Sequence, residues 1–442
     1  MSRLIDMIDA VEAGKNVFEN IIQNGDCCDF VVDEIYGSNA AEQDMALPGN
    51  RIAAGDNLKY MEYMIKKRGL NGKLQLIYAD PPFFSNGKYQ ASVRIESELL
   101  GRSPLIKTGA YDDTWDGDFC QYLKMLAVRF YMMKELLSDT GCLCVHLDWH
   151  AVHYVKVILD EIFGENNFVN EIIWTYKSGG ATKRSFARKH DTILFYSKTD
   201  KYTFNPQSEK SYNRGLKPYR FKGVEEYQDD IGWYTVVNMK DVWNIDMVGR
   251  TSAERTGYAT QKPEKLLERV VKACSNEGDL CADFFAGSGT LGAVCGKLNR
   301  GWILCDNGDA ATSDQIYRMA GCGYEFAVER IHDEYAEKSY TTAEAFVRAK
   351  EGELVLADLQ MDIKMLCCSS DKIVENYYSL DRLSMVRFWG ADTDYDGRIF
   401  RINNITEQKS KKIQIKNNSG HQRIAVVGYN VFGGRFTAEV II

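Results

Sequence analysis

The residues best suited to chemistry fall in two short stretches, each of which follows an apolar run. In the first, KLQLIYAD ends at Asp80 and continues into Pro81, Pro82 and Phe83. Proline fixes φ, lacks a backbone N–H and pushes the preceding residue towards extended geometry. We therefore predict a stiff, exposed corner at the end of a strand. It would hold a carboxylate, an accepting carbonyl group and an aromatic ring in fixed relation.

The second stretch is a glycine-rich turn, DFFAGSGTLGAV, which spans residues 283–294 and contains Gly287, Gly289 and Gly292 at the spacing GxGxxG. It lies between a predicted strand and a predicted helix, and Asp306 ends the next predicted strand 17 residues after Gly289. Turns that bind a nucleotide cofactor have this arrangement, and the later acid binds ribose hydroxyl groups. A cofactor with a ribose is therefore expected.

Asp283, at the entrance of this turn, bears on which cofactor the turn binds. NAD would place its pyrophosphate at the helix N-terminus, and a carboxylate is an unfavourable neighbour for two phosphates. The same carboxylate suits the cationic amino-acid end of S-adenosylmethionine, which carries no phosphate. The residues alone leave three alternatives open, namely S-adenosylmethionine, NAD and a glycine-rich turn that binds no ligand.

The segments around these stretches alternate between strand and helix patterns. Short apolar runs predict strands, apolar residues at helical spacing predict helices, and Pro263 is expected in the first turn of a helix. Alternating strands and helices predict a parallel sheet, whose carboxyl edge would carry both stretches. The predicted strands are 73–80, 142–148, 280–287 and 301–306, and the predicted helices are 121–137, 150–164 and 262–279.

Composition and charge restrict the function classes. The chain has 442 residues, 45% of them apolar, and no apolar run is long enough for a membrane span. The twelve cysteines form no CxxC pair, so reduced thiols and a cytoplasmic location are expected. The net charge of −8 argues against indiscriminate coating of nucleic acid. Residues 177–222 nevertheless carry twelve Lys or Arg against three acids, which predicts a local basic surface.

The stretch DPPF after a strand, followed 203 residues later by DFFAGSGT, resembles the amino-methyltransferases of DNA. These enzymes transfer a methyl group from S-adenosylmethionine to an exocyclic base nitrogen. The order of the two stretches is similar to that of the permuted β class, to which the modification subunits of type III restriction systems are related. Residues 50–61, 122–174, 189–198 and 260–271 also resemble that class, whereas Phe83 stands where a tyrosine is commoner.

The resemblance implies a Rossmann-like α/β fold of the S-adenosylmethionine-dependent methyltransferases, with an inserted target-recognition segment and a small β-rich C-terminal domain. We expect the catalytic half of the core in residues 1–174, the basic recognition insert in 175–240, the cofactor-binding half in 241–329 and the accessory domain in 330–442. The N-terminal residues predict an amphipathic helix, and the C-terminal region predicts a β-hairpin that turns at residues 418–420.

The chemistry requires that an exocyclic amine be held against the methyl donor, because its lone pair is delocalised into the base. Hydrogen bonds to Asp80 and to the Pro81 carbonyl group would direct that lone pair, and Phe83 would stack on a flipped base beside Pro82. Thr260 and Gln261 precede the predicted helix at Pro263, and a role as its N-cap is the alternative to contacts with the cofactor. The resemblance implies a cofactor site of Asp283, Phe284, Phe285, Gly287, Ser288, Gly289, Thr290 and Asp306, with Asp56 and Asn57 near the cofactor's adenine and Thr260, Gln261 and Lys262 near its carboxylate.

The basic insert is the predicted DNA-binding surface, because it interleaves cations with tyrosine and phenylalanine. Cations would neutralise phosphates, and the binding should weaken steeply as salt increases. A solvated charged face is the alternative for any one of these residues, and residues 409–416 are a second possible phosphate contact. The predicted DNA-contacting residues are Lys177, Lys183, Arg184, Arg188, Lys189, Arg214, Lys217 and Arg220.

The expected reaction is methylation of adenine N6 in double-stranded DNA, since Asp rather than Ser before the two prolines is similar to the adenine-type members. A cytosine-N4 methyltransferase and a DNA-specificity subunit without turnover are the alternatives, and a nicotinamide oxidoreductase is more remote. A homodimer and a cognate restriction subunit are possible further partners, and no membrane is expected. HLDWHAVH (146–153) has spacings that suit a metal, but the resemblance implies none there.

Overall fold

The described part of the chain forms one large sheet with helices on both faces and several smaller sheets. The computed structural model describes residues 3–24, 26–40, 49–97, 100–101, 103–178, 183–331, 343–350, 353–362, 372–403, 405–407, 410–415 and 422–441. The helices are α1 (Arg3–Gln23), α2 (Asn57–Lys66), α3 (Phe119–Leu136), α4 (Val152–Phe163), α5 (Glu264–Cys274), α6 (Thr290–Lys297), α7 (Asp309–Gly321) and α8 (Lys372–Leu380). Short 3-10 turns span Glu165–Asn167, Arg214–Leu216 and Arg382–Met385.

The strands carry the topology. In chain order they are β1 (Phe30–Tyr36), β2 (Arg51–Ala54), β3 (Leu74–Ala79), β4 (Lys88–Arg94), β5 (Leu105–Asp112), β6 (Leu137–Leu147), β7 (Phe168–Thr175), β8 (His190–Ser197), β9 (Ser208–Tyr212), β10 (Tyr227–Gln228), β11 (Trp233–Asn238), β12 (Val242–Asn244), β13 (Leu280–Asp283), β14 (Gly301–Asp306), β15 (Phe326–Ile331), β16 (Ala343–Lys350), β17 (Glu353–Met361), β18 (Val386–Asp392), β19 (Phe400–Ile402), β20 (Thr406–Glu407), β21 (Lys412–Gln414), β22 (Arg423–Asn430) and β23 (Arg435–Ile441).

Eleven of these strands form the main sheet, in the order β12-β7-β8-β6-β3-β13-β14-β2-β15-β1-β19. The six adjacent strands β6, β3, β13, β14, β2 and β15 all run parallel to one another. β8 runs antiparallel to both of its neighbours, β6 and β7. Every residue of β3 is buried, as expected for a strand covered on both faces. The predicted α/β class with a parallel sheet is confirmed.

Two apolar clusters cover the two faces of the main sheet. One joins α1, α2, α3 and α4 to the strands, and the other joins α5, α6 and α7. β3 contributes to both, with Ile77 in the first cluster and Leu76 in the second. The predicted N-terminal helix is present as α1 and packs along α3. Residues that alternate along one strand thus fix the strand between two helical layers.

The segment after residue 330 forms further sheets that pack against the core. β16, β17 and β21 form one sheet, and β20, β18, β22 and β23 form another. β19 instead joins the main sheet beside β1. On β1, the Glu34 carboxylate accepts hydrogen bonds from Tyr429 Oη at 2.8 Å and from Arg435 Nε at 2.7 Å. Burial raises the pKa of Glu34, but Arg435 and Arg330 outweigh it and lower the pKa to about 2.

Two local expectations differ from the structure. β6 begins at Leu137, directly after α3, although the sequence predicted this strand only from residue 142. The predicted C-terminal hairpin is wrong, because β21 pairs with β17 whereas β22 lies between β18 and β23. Its turn, residues 418–420, lies outside the described residues. Apolar alternation identifies a strand but does not identify its partner.

Strand β8 lies inside the range predicted as the recognition insert. Its residues 192–197 are buried and pair with both β6 and β7, so they belong to the main sheet. The polar basic residues therefore fall in two stretches on either side of β8. The second stretch contains a small sheet of order β10-β11-β9, hereafter the three-stranded lobe (residues 208–238).

Candidate active site

The two chemically promising stretches lie at one edge of the main sheet. β3 and β13 are parallel neighbours, with Tyr78 opposite Asp283, so the corner after β3 lies beside the turn after β13. β14 pairs with the other side of β13 and ends at Asp306. Ligands of open parallel sheets bind at this carboxyl edge.

A cavity of about 460 Å³ opens between the two stretches. All four predicted catalytic residues line it, and so do all the predicted cofactor residues except Gly289. Four aromatic residues that were not predicted from the sequence, Tyr78, Tyr111, Trp115 and Tyr258, also line it. A cavity of this size, apolar with a few converging polar groups, is typical of cofactor sites.

The corner after β3 is half-buried and held from outside. Pro81 is buried, and Phe84 adopts a left-handed backbone conformation with φ of 61°. The buried carboxylate of Asp113 accepts hydrogen bonds from Phe84 N (3.2 Å) and Ser85 N (2.7 Å). Tyr122 Oη donates to the carbonyl oxygen of Pro82 at 2.8 Å. The prediction of an exposed corner is therefore wrong, since side chains from β5 to α3 enclose it.

The Asp80 carboxylate has two different oxygen environments. Oδ2 accepts a hydrogen bond from Lys262 Nζ, which also lies 5.3 Å from the centre of the Phe83 ring. Oδ1 is buried and, among the described residues, has no hydrogen-bond partner. An acceptor that is removed from water without a donor is unfavourable, so Oδ1 is suited to a ligand that donates a hydrogen bond.

Three carboxyl groups converge on the cavity. Burial raises the pKa of Asp283 well above its usual range, and the nearby charges of Asp80 and Asp306 raise it further. Burial also raises the pKa of Asp306, although backbone N–H groups of Gly308 and Gly287 oppose that shift. Carboxylates that repel one another favour a cationic ligand and disfavour a phosphate.

The glycine-rich turn needs its glycines for different reasons. Gly287 and Gly289 have φ values of 47° and 73°, which residues with a Cβ rarely adopt. A Cβ on Gly292 would approach Leu304 Cδ1 to 2.8 Å, so Gly292 permits close packing of α6 on β14. Asp306 Oδ2 accepts a hydrogen bond from Gly287 N at 2.9 Å and thereby joins the turn to the end of β14.

Asp56 and Asn57 line the cavity, and each has a partner elsewhere in the structure. Asp56 caps α2 and forms an ion pair with Arg129 at 3.0 Å. Asn57 donates to the Phe284 carbonyl oxygen at 2.6 Å and accepts from Arg129 Nε at 2.5 Å. These contacts connect the start of α2 to the glycine-rich turn.

The residues before α5 differ in what their side chains contact. Gln261 is engaged by its own loop, since its amide oxygen accepts from Thr256 N (2.9 Å) and its amide nitrogen donates to the Glu254 carbonyl oxygen (2.6 Å). Thr260 has a positive φ of 58°, and its hydroxyl group lies 3.4 Å from Tyr111 Oη. Neither side chain caps α5, which begins after Pro263. Pro263 is therefore the N-cap, one position before the predicted first turn.

A buried polar network lies behind Phe83. The His146 ring stacks at 6.0 Å on the Phe83 ring, and its Nδ1 lies 2.6 Å from Tyr78 Oη. Its Nε2 lies 3.4 Å from Asp191 Oδ2, and Tyr176 Oη donates to Asp191 Oδ1 at 3.0 Å. His146 therefore fixes the Phe83 ring from behind and connects it to the first basic stretch.

The side chains of HLDWHAVH do not converge on one point. His146 points into the network behind Phe83, whereas His150 Nδ1 bonds to Asp148 Oδ2 at 2.6 Å. Among the described residues, no three His, Cys, Asp or Glu side chains are grouped as metal ligands would be. No helix in the described ranges is long and apolar enough to cross a membrane.

The predicted DNA-contacting residues occupy two surfaces. Those from 177 to 189 lie on the segment between β7 and β8, and the others lie between β9 and β10 in the three-stranded lobe. Residues 179–182 of the first surface are outside the described residues. The exposed members are Lys177, Lys183, Arg184, Arg188, Arg214, Lys217 and Arg220, whereas Lys189 is half-buried. Of the second predicted phosphate contact, residues 410–415 are described and include Lys412, which pairs with Glu353 at 2.7 Å.

The sequence analysis missed Asp113 and Arg129, which hold the site from outside the two stretches. Asp113 belongs to YDDTWDG (111–117), an unusual run of acids and aromatics that could have drawn attention. Arg129 offered no such signal, because it is one of three cations, with Lys124 and Lys134, within the apolar pattern of α3. Its role depends on which face of α3 meets the start of α2.

The chain is similar to known proteins in sequence and in structure. Residues 74–316 match the family model for N6 and N4 methyltransferases, described as DNA methylase. The chain is 28% identical over 341 residues to type II methyltransferase M.EcaI of Enterobacter cloacae, which covers 64% of this chain and 71% of that protein. It is 29% identical over 234 residues to type II methyltransferase M.HpaI of Haemophilus parainfluenzae, covering 53% and 64%. A solved structure of the cytosine-N4-specific PvuII DNA methyltransferase is 15% identical, with a TM-score of 0.42, over 66% of this chain and 90% of that one.

Proposed function

This chain belongs to the DNA methylase family of N6 and N4 methyltransferases, whose methyl donor is S-adenosylmethionine, and from that premise we propose that it methylates the exocyclic N6 of adenine at specific sites in double-stranded DNA. The observation that carries the proposal is the single cavity lined by both Asp80 and the glycine-rich turn. An amine held at Asp80 and a donor held at the turn would meet within it.

The chain's own residues suit the positioning of an amine. Asp80 Oδ1 is an unpartnered acceptor, and Lys262 orients the carboxylate by bonding to the other oxygen. A hydrogen bond from the amine to Oδ1 and another to the Pro81 carbonyl group would turn the nitrogen lone pair towards the donor. The carboxylate would also stabilise positive charge that develops on that nitrogen.

The target base must leave the duplex to reach this corner. Phe83 supplies an aromatic face for it, and His146 stacks on the Phe83 ring at 6.0 Å. Because stacking uses only the ring face, phenylalanine in place of the commoner tyrosine keeps it. The rigid corner places the stacking ring and both hydrogen-bond acceptors within four consecutive residues.

The residues of the turn suit S-adenosylmethionine better than a dinucleotide. When bound, S-adenosylmethionine supplies a methyl group on a sulfonium that is open to attack by an amine. The carboxyl cluster of Asp283, Asp306 and Asp80 favours the sulfonium and ammonium charges, and it disfavours a pyrophosphate. We assign the amino-acid end of the donor to Asp283 and Lys262, the ribose to Asp306, and the adenine to the region of Asp56 and Asn57.

DNA binding is assigned to the two basic surfaces. Seven of the eight predicted cations, between β7 and β8 and in the three-stranded lobe, are exposed, as contacts to phosphate oxygens require. The division into a catalytic half, an insert, a cofactor half and an accessory domain is part of the proposal, with β8 assigned to the core. The homodimer, the cognate restriction subunit and the relation to type III modification subunits also stay predictions.

The decisive experiment expresses the chain in a host without DNA methylation and sequences the host DNA by a method that detects modified bases. We expect N6-methyladenine at one recurring motif, and none when the chain carries Asp80→Ala. N4-methylcytosine at a recurring motif would instead show that the target atom is cytosine N4. A host genome without any modified base, despite folded protein that binds S-adenosylmethionine, would contradict the proposed activity and favour a DNA-specificity subunit.

A further inference from the structure

One phenyl ring on the first basic surface is almost wholly in water. Phe186 is 98% exposed, the highest exposure of any large apolar side chain among the described residues. Its neighbours in sequence are Lys183 and Arg184 on one side and Arg188 and Lys189 on the other. A phenyl group in this position has no stabilising role in the folded chain, since burial of apolar area is what favours it inside proteins.

The segment that carries Phe186 is anchored at its C-terminal side. The Arg188 guanidinium lies 3.7 Å from the centre of the Trp149 ring, in the turn between β6 and α4. Tyr176 N donates to the Lys189 carbonyl oxygen at 3.1 Å, and Lys189 Nζ donates to the Ser178 carbonyl oxygen at 2.7 Å. The exposed ring therefore lies on a segment that is anchored two residues away, at Arg188.

The anchor lies close to the proposed place of the flipped base. Asp191, five residues after Phe186, is 3.4 Å from His146, whose ring stacks at 6.0 Å on Phe83. An extended chain covers about 3.4 Å per residue, so Phe186 lies within roughly 17 Å of Asp191. Trp149 follows the end of β6, which pairs in parallel with β3, so the anchor of Phe186 lies at the same carboxyl edge of the sheet as the corner that carries Phe83.

We propose that Phe186 enters the DNA base stack at the position from which the target nucleotide is extruded. Apolar side chains that insert between base steps stabilise unstacked DNA, and the flanking cations would neutralise the phosphates on either side. The inference rests on the proposed function, because a wedge is needed only if a base leaves the duplex. Phe186 would bind the duplex itself, in the gap that the flipped base leaves opposite the base with which it was paired.

The experiment compares two synthetic duplexes that carry the methylated motif identified by sequencing. In one the target base is paired, and in the other it faces an abasic position, which lowers the cost of extrusion. For Phe186→Ala we expect the methylation rate on the paired duplex to fall roughly ten- to a hundredfold, the range of one lost base-stacking contact, with little loss on the abasic duplex. Phe186→Trp should restore most of the rate.

The control is Phe346→Ala, which removes another exposed phenyl group on β16, far along the chain from both basic surfaces. It should leave both rates unchanged. Equal rates for Phe186→Ala and the unsubstituted chain on both duplexes would overturn the wedge while leaving the proposed function intact. Equal losses on both duplexes would also overturn it, because a phosphate or folding defect would not distinguish the duplexes. An unsubstituted chain that methylates neither duplex would contradict the proposed function itself.

Discussion

The edge of the main sheet and the two basic surfaces are built in opposite ways. At the edge, side chains such as Asp80 and Asp283 are largely buried, carry unmet hydrogen-bonding or charge requirements, and are held by residues from distant segments. On the basic surfaces, seven of the eight predicted DNA-contacting cations are exposed, and Lys189 is half-buried. Buried groups that lack a hydrogen-bond or charge partner suit a small ligand that supplies each missing partner. Exposed cations suit a polyanion such as DNA, which can bind them at many positions along its length. Substitutions in the two regions should therefore differ in kind.

The largest effect is expected for Asp80→Ala. Removal of the acceptor should lower the rate of methyl transfer by roughly a hundred- to a thousandfold, because the amine is no longer oriented or stabilised in the transition state. The affinity for S-adenosylmethionine, measured by calorimetry, should change much less. The rate is followed by transfer of labelled methyl groups to DNA. A variant that keeps normal turnover would show that the corner is not the site of chemistry.

A second substitution at the edge, Asp283→Asn, separates charge from shape. It keeps an oxygen for the hydrogen bond from Phe285 N but removes the charge that would meet a cationic donor. The dissociation constant of S-adenosylmethionine should rise on the order of tenfold or more. In the unsubstituted chain this affinity should fall as the pH decreases through the raised pKa of Asp283, and that dependence should flatten in the variant.

The same substitution should act on stability with the opposite sign. Because the pKa of Asp283 is raised in the folded state by burial and by Asp80, the folded chain binds this proton more tightly than the unfolded chain. Its contribution to stability is therefore lost as the pH rises from about 3.8 through the raised pKa. At pH 7, Asp283→Asn should have a higher free energy of unfolding in urea. A lower free energy would contradict the assigned charge repulsion.

Asp113→Asn tests whether the corner must be held rigidly. Asparagine cannot accept all the hydrogen bonds that Asp113 receives from Phe84 N, Ser85 and Trp115 Nε1. The free energy of unfolding should fall by about 2 kcal/mol, and the rate should fall by roughly tenfold as Phe83 and Asp80 lose their fixed relation. Asp116→Asn is the matched control, since Asp116 is exposed and has a positive φ that asparagine tolerates. Equal stability of the two variants would remove this role from Asp113.

The smallest effect per residue is expected on the three-stranded lobe, where Arg214, Lys217 and Arg220 are exposed. Replacement of all three by alanine should weaken DNA binding and lower the slope of log K against log salt by about 0.9 for each lost phosphate contact. The rate at saturating DNA and the affinity for S-adenosylmethionine should stay the same. A fall in that rate with an unchanged salt slope would mean that the lobe acts on the chemistry and that the two regions are not separate.

Motifs whose geometry is local were predictable. Two adjacent prolines restrict the backbone after a strand in any fold, because each fixes its own φ, and the glycines at 287 and 289 take left-handed conformations within the turn itself. The alternation of strands and helices was enough to predict a parallel sheet with both stretches at one edge. Two pairings were predicted wrongly: β8 was assigned to the insert but pairs with β6 in the main sheet, and β22 pairs with β18. The apolar pattern of a strand does not determine which strand lies beside it.

By itself, the sequence determined the chemical content of the edge: an acid, a rigid corner, an aromatic ring and a glycine-rich turn with acids at its ends. Only the tertiary structure decided which distant groups complete it. Lys262 reaches Asp80 across 182 residues of chain, Asp113 encloses the corner, and Arg129 joins α2 to α3. The physical reason is that backbone conformation depends on neighbours in the chain, whereas the partner of a buried charge depends on how layers of helix and sheet pack together.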